Sequence, residues 1–87
     1  MPERARVVLY TKSSCGLCEK MKAEMKQARC EELYTLEEVN IEKDGELFTR
    51  YRCEIPVLLI NGVEAFRHRL RADEFRTYIT ALSSTLN

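Results

Sequence analysis

The chain predicts an α/β fold, a four-stranded mixed sheet with flanking helices in the order β-α-β-α-β-β-α. Three observations carry that expectation. Short β-branched and aromatic runs alternate with stretches whose apolar residues recur at helical spacing. Asn61-Gly62 lies between the last two strand-like runs and is a strong two-residue hairpin signal. Cys15-Gly16-Leu17-Cys18 stands where the first strand gives way to the first helix, a placement that suits thiol chemistry beside a βαβ unit.

Each element has its own reason. Arg6–Thr11 is a β-branched and aromatic run and forms the first strand. The first helix is expected from about Cys15 to Arg29, with Leu17, Met21, Met25 and Ala28 on one apolar face. Ser13 or Ser14 is expected to cap its start. The second strand is about Tyr34–Ile41, with Val39 and Ile41 facing one way and Glu38 and Asn40 the other. Asp44 has the character of an N-cap for a short helix through Arg52, carrying Leu47, Phe48 and Tyr51. Ile55–Ile60 is the most apolar run, and Pro56, lacking an N–H, belongs at the start of that strand. The Asn-Gly turn folds it back on Val63–His68. A last helix, about Ala72–Leu82, presents Phe75, Tyr78, Ile79 and Leu82 at helical spacing. Asp73 and Glu74 lie in its first turn, where the helix dipole favours negative charge. Ser83–Asn87 is expected to fray. The first helix then crosses right-handed between two parallel strands, and the hairpin adds two antiparallel ones. That arrangement resembles the thioredoxin fold in its small form.

Composition narrows the function. Residues 1–87 suffice for one domain with one modest core. Acidic and basic side chains balance at 14 each, so no overall field points to nucleic acid, a membrane surface or a strongly acidic substrate. No apolar run reaches the roughly 18 residues that span a bilayer. Met1-Pro2-Glu3-Arg4-Ala5-Arg6 lacks the apolar stretch of a secretory signal, and the expectation is a cytoplasmic monomer. Lasting disulfides are rare in that compartment, so four cysteines fit catalytic or buried thiols better than a structural framework.

Cys15 would meet the unpaired N–H groups and positive dipole end of the first helix, which favour thiolate over thiol. Cys18, one turn on, is near enough to close a small disulfide ring. Lys12 either tunes the thiolate and substrate or is a solvated surface lysine. Cys30 and Cys53 have no helix N-terminus beside them and are expected to be inert thiols, with a regulatory thiol as the alternative. Tyr10 is expected in the core rather than in the wall of a substrate groove. His68 is expected to be structural or solvated, with a proton donor to the leaving thiol as the minority reading. Arg67, Arg69 and Arg71 read as a solvated face or as an attraction for a carboxylate. Zinc would need two further ligands from Cys30, Cys53 or His68. Those are scattered singly, so no metal site is expected.

Two segments resemble the glutaredoxin family, and more closely its glutaredoxin-like branch, over roughly Arg6 to Leu82. Thr11-Lys12-Ser13-Ser14-Cys15-Gly16-Leu17-Cys18 sits where glutaredoxins carry a lysine three residues before a Cys-Pro-Tyr-Cys site, and Glu54-Ile55-Pro56-Val57 is similar to their Thr-Val-Pro segment. The resemblance implies a thioredoxin-like (glutaredoxin-type) fold and a thiol–disulfide oxidoreductase using a dithiol mechanism. In it Cys15 is the nucleophile and Cys18 the resolving thiol. It also implies a cis Pro56 that exposes the backbone of Ile55 to an extended substrate strand and denies a metal a ligand. Lys12, Ile55, Pro56 and Arg67 are the substrate-binding residues on this reading. The implied partner is a disulfide-containing protein or a low-molecular-weight thiol, with no nucleic acid and no membrane.

Two departures stand out. The dipeptide between the cysteines is Gly-Leu, and the family's Gly-Gly pair, which lets the backbone approach glutathione, is replaced by the bulky basic run Ala65-Phe66-Arg67-His68-Arg69-Leu70. No bound cofactor is expected. Glutathione is implied as an electron donor by the resemblance, and the missing glycines argue against it. The other readings are a non-enzymatic module holding a partner through the Pro56 groove, and a metal or iron–sulfur carrier.

Overall fold

Seven main elements build the chain in the computed structural model, which describes residues 4–85. They are β1 (Ala5–Thr11), α1 (Gly16–Gln27), β2 (Tyr34–Asn40), α2 (Gly45–Tyr51), β3 (Val57–Ile60), β4 (Val63–Arg67) and α3 (Ala72–Thr85). One-turn 3-10 helices at Glu31–Leu33 and Ile41–Lys43 bracket β2. The sheet order is β2-β1-β3-β4. β1 runs parallel to β2 and antiparallel to β3, and β3 and β4 form the hairpin. This is the expected four-stranded mixed sheet of a thioredoxin-like α/β fold.

The pleat sorts the apolar residues to two faces. Val7, Leu9, Leu58 and Ile60 meet Met21 and Met25 of α1 and Phe75 and Ile79 of α3, all almost fully buried. Phe75 packs edge-on to Tyr34, with ring centroids 5.2 Å apart. On the opposite face Val57 joins Ile41, Tyr51, Ile55 and Cys18 in a smaller cluster. Its helical partner is the short α2, so the second cluster is confined to the end of the sheet that carries the cysteines.

The hairpin follows its sequence signal. Asn61 and Gly62 take positive φ values of 52° and 82°, as a turn of this type requires. The Asn61 amide oxygen also accepts from the Arg6 N–H at 2.8 Å, which ties the turn to β1. The β3–β4 register carries one irregularity. Leu58 faces Phe66 but Leu59 faces Glu64, which leaves Ala65 as the extra residue of a bulge. Beyond it Phe66 turns to Phe75 and Tyr78, and Arg67 faces the other way.

Several expected boundaries shift, each for a physical reason. The first helix begins after Cys15, which is itself the N-cap, so neither Ser13 nor Ser14 caps it. Its buried stripe enters at Cys18 and runs through Met21, Met25 and Ala28, which leaves Leu17 at the margin, 44% exposed. The helix ends at Gln27, and Arg29 turns the chain with a left-handed φ of 53°. Ile41 is buried but leaves the strand, because Asn40 accepts from the Glu42 N–H at 2.9 Å and starts a 3-10 turn. β3 begins at Val57, after a cis Ile55–Pro56 peptide. β4 stops at Arg67, because His68 adopts a φ of 67° that a strand does not continue through. The last helix continues to Thr85, beyond the point where fraying is expected. The final two residues lie outside the described part.

Candidate active site

β1 delivers the chain to a loop of four residues, Lys12 to Cys15, that turns it into α1. Ser14 makes the reversal with a φ of 57°. The loop is pinned from the 3-10 turn that follows β2: the Ser13 N–H donates to a Glu42 carboxylate oxygen at 3.0 Å. That backbone donor is the main reason the Glu42 carboxyl is held below its usual range, with Lys12 adding a smaller attraction.

Cys15 then occupies the N-cap with extended backbone, φ −99° and ψ 103°. Its Sγ accepts the Cys18 N–H at 3.2 Å, so one of the orphan amide donors of the helix points at sulfur. Cys15 and Cys18 are joined as a disulfide with their Cα atoms 5.3 Å apart. The two sulfurs differ in access. Cys15 is half-buried, whereas Cys18 is only 2% exposed and belongs to the apolar cluster under the site.

Ile41, Tyr51, Ile55 and Val57 form the bed of that cluster, and Cys15 packs against it. Tyr10 is half-buried there, with its ring 4.9 Å from that of Tyr51. Beside the sulfurs opens a cleft of about 470 Å³ whose lining includes Lys12, Ser13, Cys15, Cys18, Lys22 and Glu38. Lys22 is ion-paired within it, 2.8 Å from Glu19 and 3.0 Å from Glu38. Those two carboxylates raise its pKa.

The sequence-predicted residues fall into two groups. Lys12, Cys15 and Cys18 line the one cleft, and Lys12 is exposed at it. The buried Ile55 meets both cysteines through the apolar cluster, with the buried Pro56 next in the chain. Arg67 does not line the cleft. It sits on β4 opposite Val57, with its guanidinium 3.2 Å from Glu54 and 2.5 Å from Glu64. His68 is half exposed with its Nε2 3.4 Å from Glu54, in keeping with a structural or solvated histidine, and its φ of 67° takes it out of the strand alternation. Cys30 is buried just past the far end of α1, and burial pushes its thiol pKa up. Cys53 is exposed.

Among the described residues no group of three or more His, Cys, Asp or Glu gathers where it could hold a metal ion. No helix among them is long and apolar enough to cross a membrane. Sequence reasoning missed Glu42, Glu38, Glu54 and Glu64. Of the carboxylate contacts at the site, Glu19–Lys22 has a local signature, the i,i+3 spacing on a helix; the carboxylates brought in from other elements announce nothing in the linear chain.

A family profile for the glutaredoxin-like domain (DUF836) matches residues 6–80. Among solved structures, a protein of Nitrosomonas europaea determined by solution NMR is 28% identical with a TM-score of 0.74, covering 90% of this chain and 94% of that one. An X. campestris protein determined by X-ray crystallography is 25% identical with a TM-score of 0.73, covering 86% and 96%. The thioredoxin of Fasciola hepatica is similar in fold alone: 21% identity, TM-score 0.56, coverage 90% and 80%. No curated protein sequence matches.

Proposed function

The chain belongs to the family of the glutaredoxin-like domain, and from that premise we propose that it is a thiol–disulfide oxidoreductase with Cys15 as nucleophile and Cys18 as resolving thiol. The observation that carries the reading is the asymmetry of the pair. Cys15 Sγ receives a backbone N–H at a helix start, and Cys18 is buried behind it. An N–H aimed at the sulfur stabilises a thiolate, as does the dipole end of α1.

The chemistry follows from that difference in access. The reduced protein presents the Cys15 thiolate to a substrate disulfide. Attack on one substrate sulfur forms a mixed disulfide and expels the other as a thiolate, which takes a proton from water. The Cys18 thiol gives up its proton and attacks the Cys15 sulfur. The Cys15–Cys18 bond forms, and the second substrate sulfur leaves as a thiolate and is protonated. The substrate gains two electrons and two protons; the Cys15 thiolate and Cys18 thiol give up the two electrons and one proton, and water supplies the other proton. A thiol reductant must then return the protein to its reduced state. The burial of Cys18 supports this order, since a substrate in solution meets Cys15 first.

The rest of the reading is of the same standing. Lys12 at the cleft and the Ile55–Pro56 segment across the apolar cluster receive the substrate, a disulfide-containing protein or a low-molecular-weight thiol. The protein acts as a cytoplasmic monomer without a bound cofactor. The bulky run Phe66-Arg67-His68-Arg69 in place of two glycines disfavours glutathione as the donor.

Equilibration in graded reduced-to-oxidised glutathione buffers, followed by acid quenching, alkylation and intact mass, tests the core of the proposal. A reversible Cys15–Cys18 disulfide is expected. Cys15→Ser is expected to abolish turnover, and Cys18→Ser to accumulate a covalent substrate adduct on Cys15. Full activity in Cys15→Ser, or thiols that never oxidise reversibly, would sink the assignment.

A further inference from the structure

Arg67 ends β4 opposite Val57, alongside the segment Glu54-Ile55-Pro56 that leads into β3. Its guanidinium forks between two carboxylates, 3.2 Å from Glu54 and 2.5 Å from Glu64. The second oxygen of Glu64 accepts the Tyr51 hydroxyl at 2.9 Å. Tyr51 in turn accepts backbone N–H groups of Glu54 at 2.8 Å and Ile55 at 3.1 Å on its carbonyl, and its ring belongs to the cluster that holds Cys18 and Ile55. His68 fastens the same segment twice: its N–H donates to the Pro56 carbonyl at 2.8 Å, and its imidazole lies 3.4 Å from Glu54. The network leads to the three residues before β3 and to the tyrosine that holds them.

We propose that Arg67 is a positioning residue: through Glu54 and Glu64 it holds the Glu54-Ile55-Pro56 segment in place as the wall opposite Cys15, and it does not itself bind substrate. The functional part rests on the disulfide-exchange reading, which supplies what the wall receives. Magnitudes support a local role. Glu54, Glu64 and Arg67 are each more than a third exposed or close to it, and such ion pairs contribute little to global stability. What their loss changes is the placement of one segment. An extended peptide needs that placement along its backbone, whereas a small disulfide needs access to Cys15 alone.

The test compares wild type with Arg67→Met, Glu54→Gln, the double variant and Arg67→Lys. Two readouts are taken: reduction of the interchain disulfides of insulin against reduction of cystamine, and hydrogen exchange at the His68 amide against the Leu9 amide. Expected are a rise of about tenfold in KM for insulin, kcat for cystamine unchanged, and exchange about tenfold faster at His68 with Leu9 unaffected. The double variant is expected to fall short of the sum of the two single ones, because the two residues share the Arg67–Glu54 contact. Arg67→Lys is expected to restore part of the KM. Unchanged His68 exchange overturns the clamp, as does a loss spread evenly over both amides and both substrates. A wild type that reduces neither disulfide sinks the oxidoreductase reading, and the His68 exchange still decides the clamp on its own.

Discussion

At Cys15 a sulfur takes the place that a serine or aspartate oxygen commonly fills at a helix start. Serine is among the preferred residues there, so the Cys15→Ser variant keeps its cap, and a loss of turnover in it reports lost chemistry rather than lost fold. Glu42 is the second residue of consequence at this scale. Its folded carboxyl is held below the usual range by the Ser13 N–H, so the stabilisation it lends the loop is complete above the ordinary carboxylate pKa. It fades as pH falls through the lowered value. The Ser13 amide is expected to shift in NMR with that low midpoint, and the shift is expected to vanish in Glu42→Gln; a midpoint at the ordinary value refutes the contact. Both cysteines were legible because four consecutive residues carry the signal. Glu42 was not, since it meets Ser13 across 29 positions of sequence and looks like any surface glutamate.

Among the elements, α2 is the one whose survival depends most on its cap. Its seven residues are too few for a helix to persist in isolation. Asp44 accepts from the Glu46 and Leu47 N–H groups at 3.0 and 3.1 Å. Asp44→Ala is expected to cost about 1 kcal/mol, and thermal denaturation should show it as a melting point lower by roughly 4–8 °C. An unchanged melting point would mean that the cap is idle. The strands, the hairpin, this cap and the apolar face of α3 were readable from local chemistry, whereas of the apolar residues expected on α2 Tyr51 is buried and Phe48 stays exposed. The start of α1 was not: two serines precede Cys15, and only the reversal at Ser14 makes the cysteine the cap. Ile41 misled for a similar reason. Strand alternation and a buried 3-10 turn ask for the same apolar residue at that position.

For the whole molecule, stability rests on the face where α1 and α3 meet the sheet. A domain of 87 residues is stable by about 4–13 kcal/mol in total. Removing the ring of Phe75, fully buried against Tyr34 and Phe66, costs roughly 3–5 kcal/mol. Phe75→Ala is therefore expected to lose a large share of that stability, seen as a urea midpoint well below that of wild type and a weakened near-UV circular dichroism signal. A cooperative transition near that of wild type would show that the core repacks around the gap. The element order and the mixed sheet were legible at this scale because a crossover and a tight hairpin each fix how two strands pair, whereas the placing of β3 antiparallel beside β1 depends on contacts far apart in sequence. The network joining Glu54, Arg67, His68, Glu64 and Tyr51 was not, because it depends on which residues of β4 come to lie beside the segment before β3, and a bulge sets that.

Ala65 bears also on how copies of the molecule meet. β4 is an outer strand of the sheet, and a regular outer strand offers its free amides and carbonyls to any similar strand from another chain. The extra residue kinks and coils that border, so a neighbour laid along it finds matching partners on one side of Ala65 or the other, but not on both. The same irregularity that sends Phe66 inward thus leaves β4 a poor template for a strand of another chain.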